Sequence, residues 1–403
     1  MVLPTDGTDV AGEFNAQVQA APNGSTIIIP AGRFVCDFPL LMVGKVGVTL
    51  RGAINADGLN GAERHFSVFV STLSGFEIGV TKGSNSARRH FTMDGCDDCT
   101  VTGMRIESTN TVSKSKPSFA TYYQPREFEH GFVTKSSRRC TLHDVSTYGT
   151  WGDGVTISGS KNFGFVEDFV AYDVWIDWCG RQGVAVGGAT NTRLYNFHMD
   201  AVRRSAVDLE PHSDDLHIDG FEMYDSEARC LYGLIASKGR AQVDNIHFHD
   251  MYQVPTDHET GLNGGTQRHC LVQGSHNEET GLRPIRKNWL VERITCPSNG
   301  GAWQFVSCEN VILRDIHAPN LKGRDKWGAP VRFYDCIGDL EVSGCYFRHH
   351  PDSPAYAGDG DEIWQINSSD VAAFDNAPEM MILTEKPTER PGDRGWTPAD
   401  QEA

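Results

Sequence analysis

Apolar positions along this chain recur in one short motif: apolar, any, apolar, any, any, apolar, any, apolar. Leu216, Ile218, Phe221 and Met223 carry it within residues 205–223. Side chains on a strand point to opposite faces in turn, so alternation with a single slip predicts a strand, a bend and a second strand. The motif returns at Cys99, Val101, Met104 and Ile106, at Gly164, Val166, Phe169 and Ala171, and at Thr192, Leu194, Phe197 and Met199. It continues at Ile246, Phe248 and Met251, then at Trp289, Val291, Ile294 and Cys296. Val311, Leu313, Ile316 and Ala318 follow, then Leu340, Val342, Cys345 and Phe347, while Cys140, Leu142 and Val145 fill the early gap. The first positions, 99, 140, 164, 192, 216, 246, 289, 311 and 340, are mostly 22 to 30 residues apart; two steps of 41 and 43 fit one coil plus an insertion. A repeat of this length, made of short strands with no helical period, predicts a β-solenoid whose coils bury their apolar side chains against one another.

Ahead of the repeats, residues 9–21 begin with an Asp suited to capping and space their apolar residues as a short helix does. Pro22-Asn23-Gly24 ends that helix, and residues 25–34, STIIIPAGRF, read as a strand with a Pro-Ala-Gly turn. Together with the repeat, these features resemble the pectate-lyase-like, right-handed parallel β-helix superfamily. The resemblance implies an all-β fold: a single-stranded right-handed parallel β-helix of about ten coils. A short N-terminal helix would cap the open end, whose strand edges would otherwise stay unpaired. The expected boundaries are residues 1–24 for the cap, 25–375 for the β-helix and 376–403 for a polar C-terminal tail. The superfamily hosts lyases, hydrolases, epimerases and phage tail proteins, so the fold implies no single activity.

Charge narrows the partners. The chain carries 36 basic and 53 acidic residues, a formal net charge of -17, which disfavours nucleic acid and anionic membranes. It has no apolar run long enough to span a membrane. Its first residues, MVLPTDGTDVAGEF, lack the basic start and apolar stretch of a secretion signal. The 11 cysteines are an odd number, and several occupy apolar positions of the repeat. Buried thiols acting as small hydrophobes are expected, not disulfides. Cys96 and Cys99 make a CxxC-like pair with no second pair, so no zinc site is expected there. These features resemble a phage minor tail or tailspike-type protein, made in the host cytoplasm and carried on the virion tail. A secreted enzyme is the alternative. The resemblance implies as partners a surface polysaccharide or cell-wall glycan, other tail proteins and further copies of the chain in a homotrimer. No cofactor and no metal are expected.

The candidate chemistry lies in residues 147–223. Aligning three coils puts Val155, Val184 and Val207 in one column, Thr156, Ala185 and Asp208 in the next, and Ser158, Gly187 and Glu210 further on. Val207 and Leu209 are expected to face inward, with Asp208 and Glu210 on the outer face, their Cα atoms roughly 6–7 Å apart at strand rise. Arg181, Arg204, Arg229 and Arg268 stand two residues ahead of successive strands and predict a basic column, either a salt-bridge ladder or a site for an acidic ligand. Trp151, Trp175 and Trp178 are placed at the edge of the same surface, either as a sugar platform, with Trp151 and Trp178 among the glycan-binding residues, or as core filling at a corner. The insertion that holds Phe119, Tyr122, Tyr123 and Phe128 either stacks on sugar rings or folds back to pin itself. Asp208 and Glu210 could serve as acid and base of an inverting glycosidase. Leu209-Glu210-Pro211-His212-Ser213-Asp214 resembles the Asp-Pro-His-Asp/Glu segment of mannuronan C5-epimerases. That resemblance implies His212 as acid or base, Glu210 in place of the family's Asp, and Arg204 or Arg181 neutralising a uronate carboxylate. The family's Tyr three residues before its Asp is Val207 here. Of the polygalacturonase motifs only Asp214-Asp215 is present, and Arg283-Pro284-Ile285-Arg286 lacks the spacing of the pectate lyase Arg-x-Pro-x-x-Arg segment.

Overall fold

The computed structural model describes residues 1–54, 64–71, 89–116, 118–159, 164–211, 215–238, 241–255, 270–273, 286–297, 303–321, 331–334, 336–349, 364–367 and 381–382. The chain forms two compact units, Met1–Arg204 and Ser205–Ala403. The strand ladders of both are parallel, and the fold is an all-β parallel β-helix. Among the described residues the antiparallel pairings are two isolated bridges, Ile54 with His65 and Val112 with Ala120.

In the first unit each coil contributes to three faces. The first is built from Thr26–Ile28, Thr49–Arg51, Thr100–Thr102 and the start of Thr141–Tyr148. The second is built from Gly32–Cys36, Ser67–Ser71, Met104–Glu107 and the end of Thr141–Tyr148. Val170–Asp177 and Ala189–Val202 continue both faces. The third is built from Leu40–Val43, Phe91–Asp94, Phe132–Lys135, Val155–Ser158 and Val184–Val186. The helix Ala11–Ala20 buries Phe14 and Val18. Phe14 meets Phe69 edge-on at 5.5 Å. Asn15 accepts from the Leu41 amide at 2.6 Å and donates to the Pro39 carbonyl at 2.9 Å.

The slip in the motif has a single backbone cause. Inward positions follow one another at spacings of two and three, and each spacing of three holds a residue with positive φ. Asp168, Asp173 and Trp178 fill these places in one coil, Asn191, Asn196 and Ala201 in the next. In the second unit the places are held by Asn245 and Asp250, Asn288 and Arg293, Asn310 and Asp315, and Gly344, while Gly338 sits at a one-residue register shift. A left-handed residue turns the strand without breaking it, and Asn, Asp and Gly tolerate that conformation best. The stacked amides also bond to one another: Asn310 donates to Asn288 and Asn288 to Asn245, each at 2.8 Å. The column ends at Gly338, where Asn310 Oδ1 instead accepts from the Asp339 amide at 3.0 Å.

The second unit repeats the plan. Ile218–Cys230, Val243–Gln253, Arg286–Thr295, Cys308–Arg314 and Ile337–Ser343 pair in succession. Opposite them run Ser205–Leu209, Gly233–Ser237, Cys270–Gln273, Trp303–Val306, Val331–Tyr334 and Trp364–Asn367. The inward positions are those expected, with Val207 and Leu209 fully buried and Leu216, Ile218, Phe221 and Met223 buried.

Two repeats stand five residues out of step with their neighbours. Ala171 pairs with Leu194 and Val174 with Phe197, so the coil written as starting at Gly164 starts at Phe169. Phe221 pairs with Ile246, which pairs with Trp289, so the corresponding start in that coil is Phe221, not Leu216. The inward spacing of two and three reads the same when shifted by five, and burial alone therefore does not choose the register. All 11 cysteines are free thiols, buried except for the half-buried Cys345.

Candidate functional site

In the first unit, residues 108–116 with 118–131, 149–154 and 178–183 link the second face to the third, and residues 201–204 stack beside them at the same corner. Backbone bonds hold them in register: the Gly152 amide donates to Glu129, Arg181 to Gly152 and Arg204 to Arg181, at 3.0 to 3.2 Å. Arg181 and Arg204 are therefore neighbours in one column, as the sequence predicts. The column continues through Gly152 and Glu129, so it is not uniformly basic. Gly154, beside this corner, must be glycine, because a Cβ there would run into Ile176 and the Gly183 carbonyl.

The insertion is locked down. Phe119 is fully buried. The Asn110 amide donates to the carbonyls of Thr121 and Thr150 at 2.9 Å and accepts from the Thr121 amide at 3.1 Å. Arg126 donates through Nε to both oxygens of the buried Glu129 at 2.8 Å. Its guanidinium lies 4.6 Å from the Trp151 ring centre. Phe119 and Phe128 thus pin the loop, Phe128 meeting His130 edge-on at 6.1 Å. Tyr122 and Tyr123 face a different environment. The Tyr122 hydroxyl donates to Glu127 at 2.8 Å, and Arg204 lies 4.2 Å over the Tyr122 ring. Burial pushes the Tyr122 phenol up. Tyr123 is 44% exposed and meets Trp151 edge-on at 6.1 Å. The Trp151 indole N–H donates to Thr109 at 3.1 Å.

Arg181 turns the other way. Its Nε lies 3.7 Å from the buried Asp153, and its guanidinium is 5.9 Å from the Phe128 ring. Asp153 also accepts from the Gln182 amide at 3.2 Å. Burial pushes this carboxyl up, but Arg181, His130 and the amide together hold it below the usual carboxylate range. His130 Nδ1 lies 3.0 Å from both the Asp153 amide and Asp153 Oδ2. Burial holds the His130 imidazole below its ordinary value. The half-buried Arg181 with the buried His130 and Asp153 forms an electrostatic joint; Arg204, Tyr122, Tyr123 and Trp151 form the more accessible part of the corner. Trp178 is half-buried and opens the corner with a φ of 62°. Trp175 lies elsewhere, which corrects the expectation: it points outward from Val170–Asp177 and stacks on His198 at 5.6 Å.

In the second unit, Asp208 lies on the opposite side of its strand from Val207 and Leu209, yet it is buried at 7% exposure, whereas Glu210 is half-exposed. Both act electrostatically on the fully buried Arg286, which desolvation pushes down to about 10. His212 and Arg268 lie outside the described residues. The sequence reading singled out neither Glu127 and Glu129 nor His130 and Asp153. The signal available was charge alternating with aromatics in residues 122–130.

No protein-family model matches this chain, and no curated protein matches its sequence. Solved structures do. The Agl-KA catalytic domain superposes with a TM-score of 0.54 at 14% identity, over 94% of this chain and 67% of that one. Endo-xylogalacturonan hydrolase from Aspergillus tubingensis gives 0.52 at 10% identity, over 95% and 98%. Tailspike gp49 from Acinetobacter baumannii bacteriophage Fri1, a capsular polysaccharide depolymerase, gives 0.48 at 10% identity, over 97% and 63%. At these identities the likeness is one of fold.

Proposed function

We propose that this protein engages an acidic glycan at the corner of its first unit, with Tyr123 and Trp151 as the stacking surface and Arg204 as the cation. The observation that carries this reading is the exposed Tyr123 set against Trp151 on a loop fastened by Asn110, Phe119 and the Arg126–Glu129 pair. A ring face held in place before binding loses little conformational freedom when a sugar stacks on it. The finer reading is a phage minor tail or tailspike-type protein that meets host surface polysaccharide during adsorption, as a homotrimer beside other tail proteins.

Titration of the full chain with acidic and neutral polysaccharides, followed by tryptophan fluorescence, tests the corner. Tyr123→Ala and Trp151→Ala should each weaken binding about tenfold, or ~1.4 kcal/mol. Arg204→Ala should weaken binding of acidic glycans selectively. Binding by none of the glycans, or binding indifferent to all three changes, overturns the assignment. Monitoring unsaturated products, reducing ends and C5 inversion in the same incubations separates a binding module from a lyase, hydrolase or epimerase. Sedimentation showing a stable monomer at micromolar concentration removes the trimer.

A further inference from the structure

We propose that the outward surface of the second unit binds a divalent transition metal, Zn²⁺ in the first instance, through Glu222, His247 and His249. His247 and His249 are two residues apart on Val243–Gln253 and so share a face, while Phe248 between them is buried. The parallel register sets Glu222 beside His247, and Tyr224 and Glu292 on either side of His249. One ligand atom from each of Glu222, His247 and His249 lies within 4.8 Å of the other two. Glu222 Oε1 is 3.6 Å from His247 Nδ1 and 3.4 Å from His249 Nε2. A tetrahedral zinc ion with bonds of about 2.1 Å spaces its ligand atoms about 3.4 Å apart.

The remaining nitrogen of each ring faces a carboxylate, as the outer nitrogen of a metal-bound imidazole commonly does. His249 Nδ1 lies 2.7 Å from Asp250 Oδ2, and His247 Nε2 lies 3.2 Å from Glu292 Oε1. With the protons on these two nitrogens, the other nitrogen of each ring holds a lone pair. Both lone pairs then converge on Glu222 Oε1. A cation placed among these three atoms would meet an electron pair from each. The two ring centres are 4.2 Å apart, and Arg293 Nη2 lies 3.2 Å from His249 Nδ1.

Arg293 ties the outer carboxylates together, bonding Asp250 at 2.8 and 2.9 Å and Glu292 at 2.7 Å. Arg314, in register with Glu292, is paired to Glu341 at 2.8 and 2.9 Å. Among the cluster's own groups, Glu222, Asp250 and Glu292 against Arg293 leave two negative charges, which a divalent ion cancels. Two imidazoles and one carboxylate suit zinc among the divalent metals and leave a fourth position for water or a ligand oxygen. Tyr224 stacks on the His249 ring at 4.8 Å and 4°, which fixes its orientation.

The test is calorimetric titration of the chelator-treated full chain with Zn²⁺, with Co²⁺ absorption as a second readout. One equivalent should bind with a Kd of about 10 μM or tighter, ~-7 kcal/mol. Glu222→Gln, which keeps the side chain's shape, should weaken that equivalent at least tenfold, and the paired change His247→Ala with His249→Ala should abolish it. Asp250→Asn, acting through His249, should weaken it by about 10-fold to 100-fold. The Co²⁺ spectrum should lack thiolate charge-transfer bands. No bound equivalent, an equivalent untouched by Glu222→Gln, or thiolate bands marking one of the cysteines would each overturn the assignment. Thermal melts of the variants check folding, and the Glu222→Gln result decides the matter if the double variant does not fold.

Discussion

His90 should make the first unit acid-labile. It precedes the strand Phe91–Asp94, its amide donates to the His130 carbonyl at 2.9 Å, and its side chain is buried. Nδ1 lies 2.6 Å from the Ser71 hydroxyl. Burial, then the positive Arg126, then His130 push the imidazole from 6.5 down to about 3. The folded chain therefore holds fewer protons than the unfolded chain between those two values. Stability contributed by neutral His90 is whole above pH 6.5 and is lost progressively as pH falls toward 3. One extra proton in the unfolded state lowers stability by about 1.4 kcal/mol per pH unit, so His90 alone costs ~2 kcal/mol at pH 5 and up to ~5 kcal/mol at pH 3. Against a typical total of about 5–15 kcal/mol, that is a large share. His130, whose value is also lowered by burial, acts in the same direction. Urea unfolding followed by circular dichroism at pH 7.5, 6, 5 and 4.5 measures the slope. His90→Asn keeps a partner for Ser71 and removes the titration, so its profile should be flatter by one proton whatever its stability at pH 7.5. Parallel profiles for the two proteins would refute the argument.

Three further outcomes are expected. Asn288 has a φ of 56° and bonds both neighbours in the amide column; Asn288→Val should cost about 1–3 kcal/mol from backbone strain alone, and Asn288→Gly only about 1 kcal/mol for the lost bonds, so equal losses in urea melts would remove the left-handed column as a source of stability. Phe119→Ala should open a cavity worth about 3 kcal/mol beneath the insertion, seen as faster protease cleavage within residues 108–131 and weaker glycan binding, with unchanged cleavage counting against the anchor. A thiol reagent should leave the native chain almost unreacted, with Cys345 first to respond, and should modify all 11 cysteines in denaturant; rapid reaction of several thiols without denaturant would contradict the burial.

The inward positions could be read directly because they depend on the period of a strand, a local property. Residues such as Val101, Leu194, Phe248 and Val291 need no knowledge of their neighbours to be placed inside. The corner proposed to engage glycan was half legible. Arg181 and Arg204 were placed in one column, but only the packing shows that Arg181 turns toward Asp153 while Arg204 lies over Tyr122. The insertion's aromatics looked alike in sequence; burial separates Phe119 from Tyr123.

What the amino-acid order determined by itself was the coil: alternating apolar residues with a regular slip, a helix before the first strand, and cysteines on the inside. What only the tertiary structure decided was which outward residues become neighbours. Coils stack about 4.8 Å apart, so side chains 20 to 45 positions apart in sequence meet only once the register is set. That register depends on the lengths of the intervening loops, and it cannot be counted from a motif that looks the same when shifted by five. Hence His247 and His249 could be read as two outward residues of one strand, but not Glu222 beside one and Glu292 beside the other.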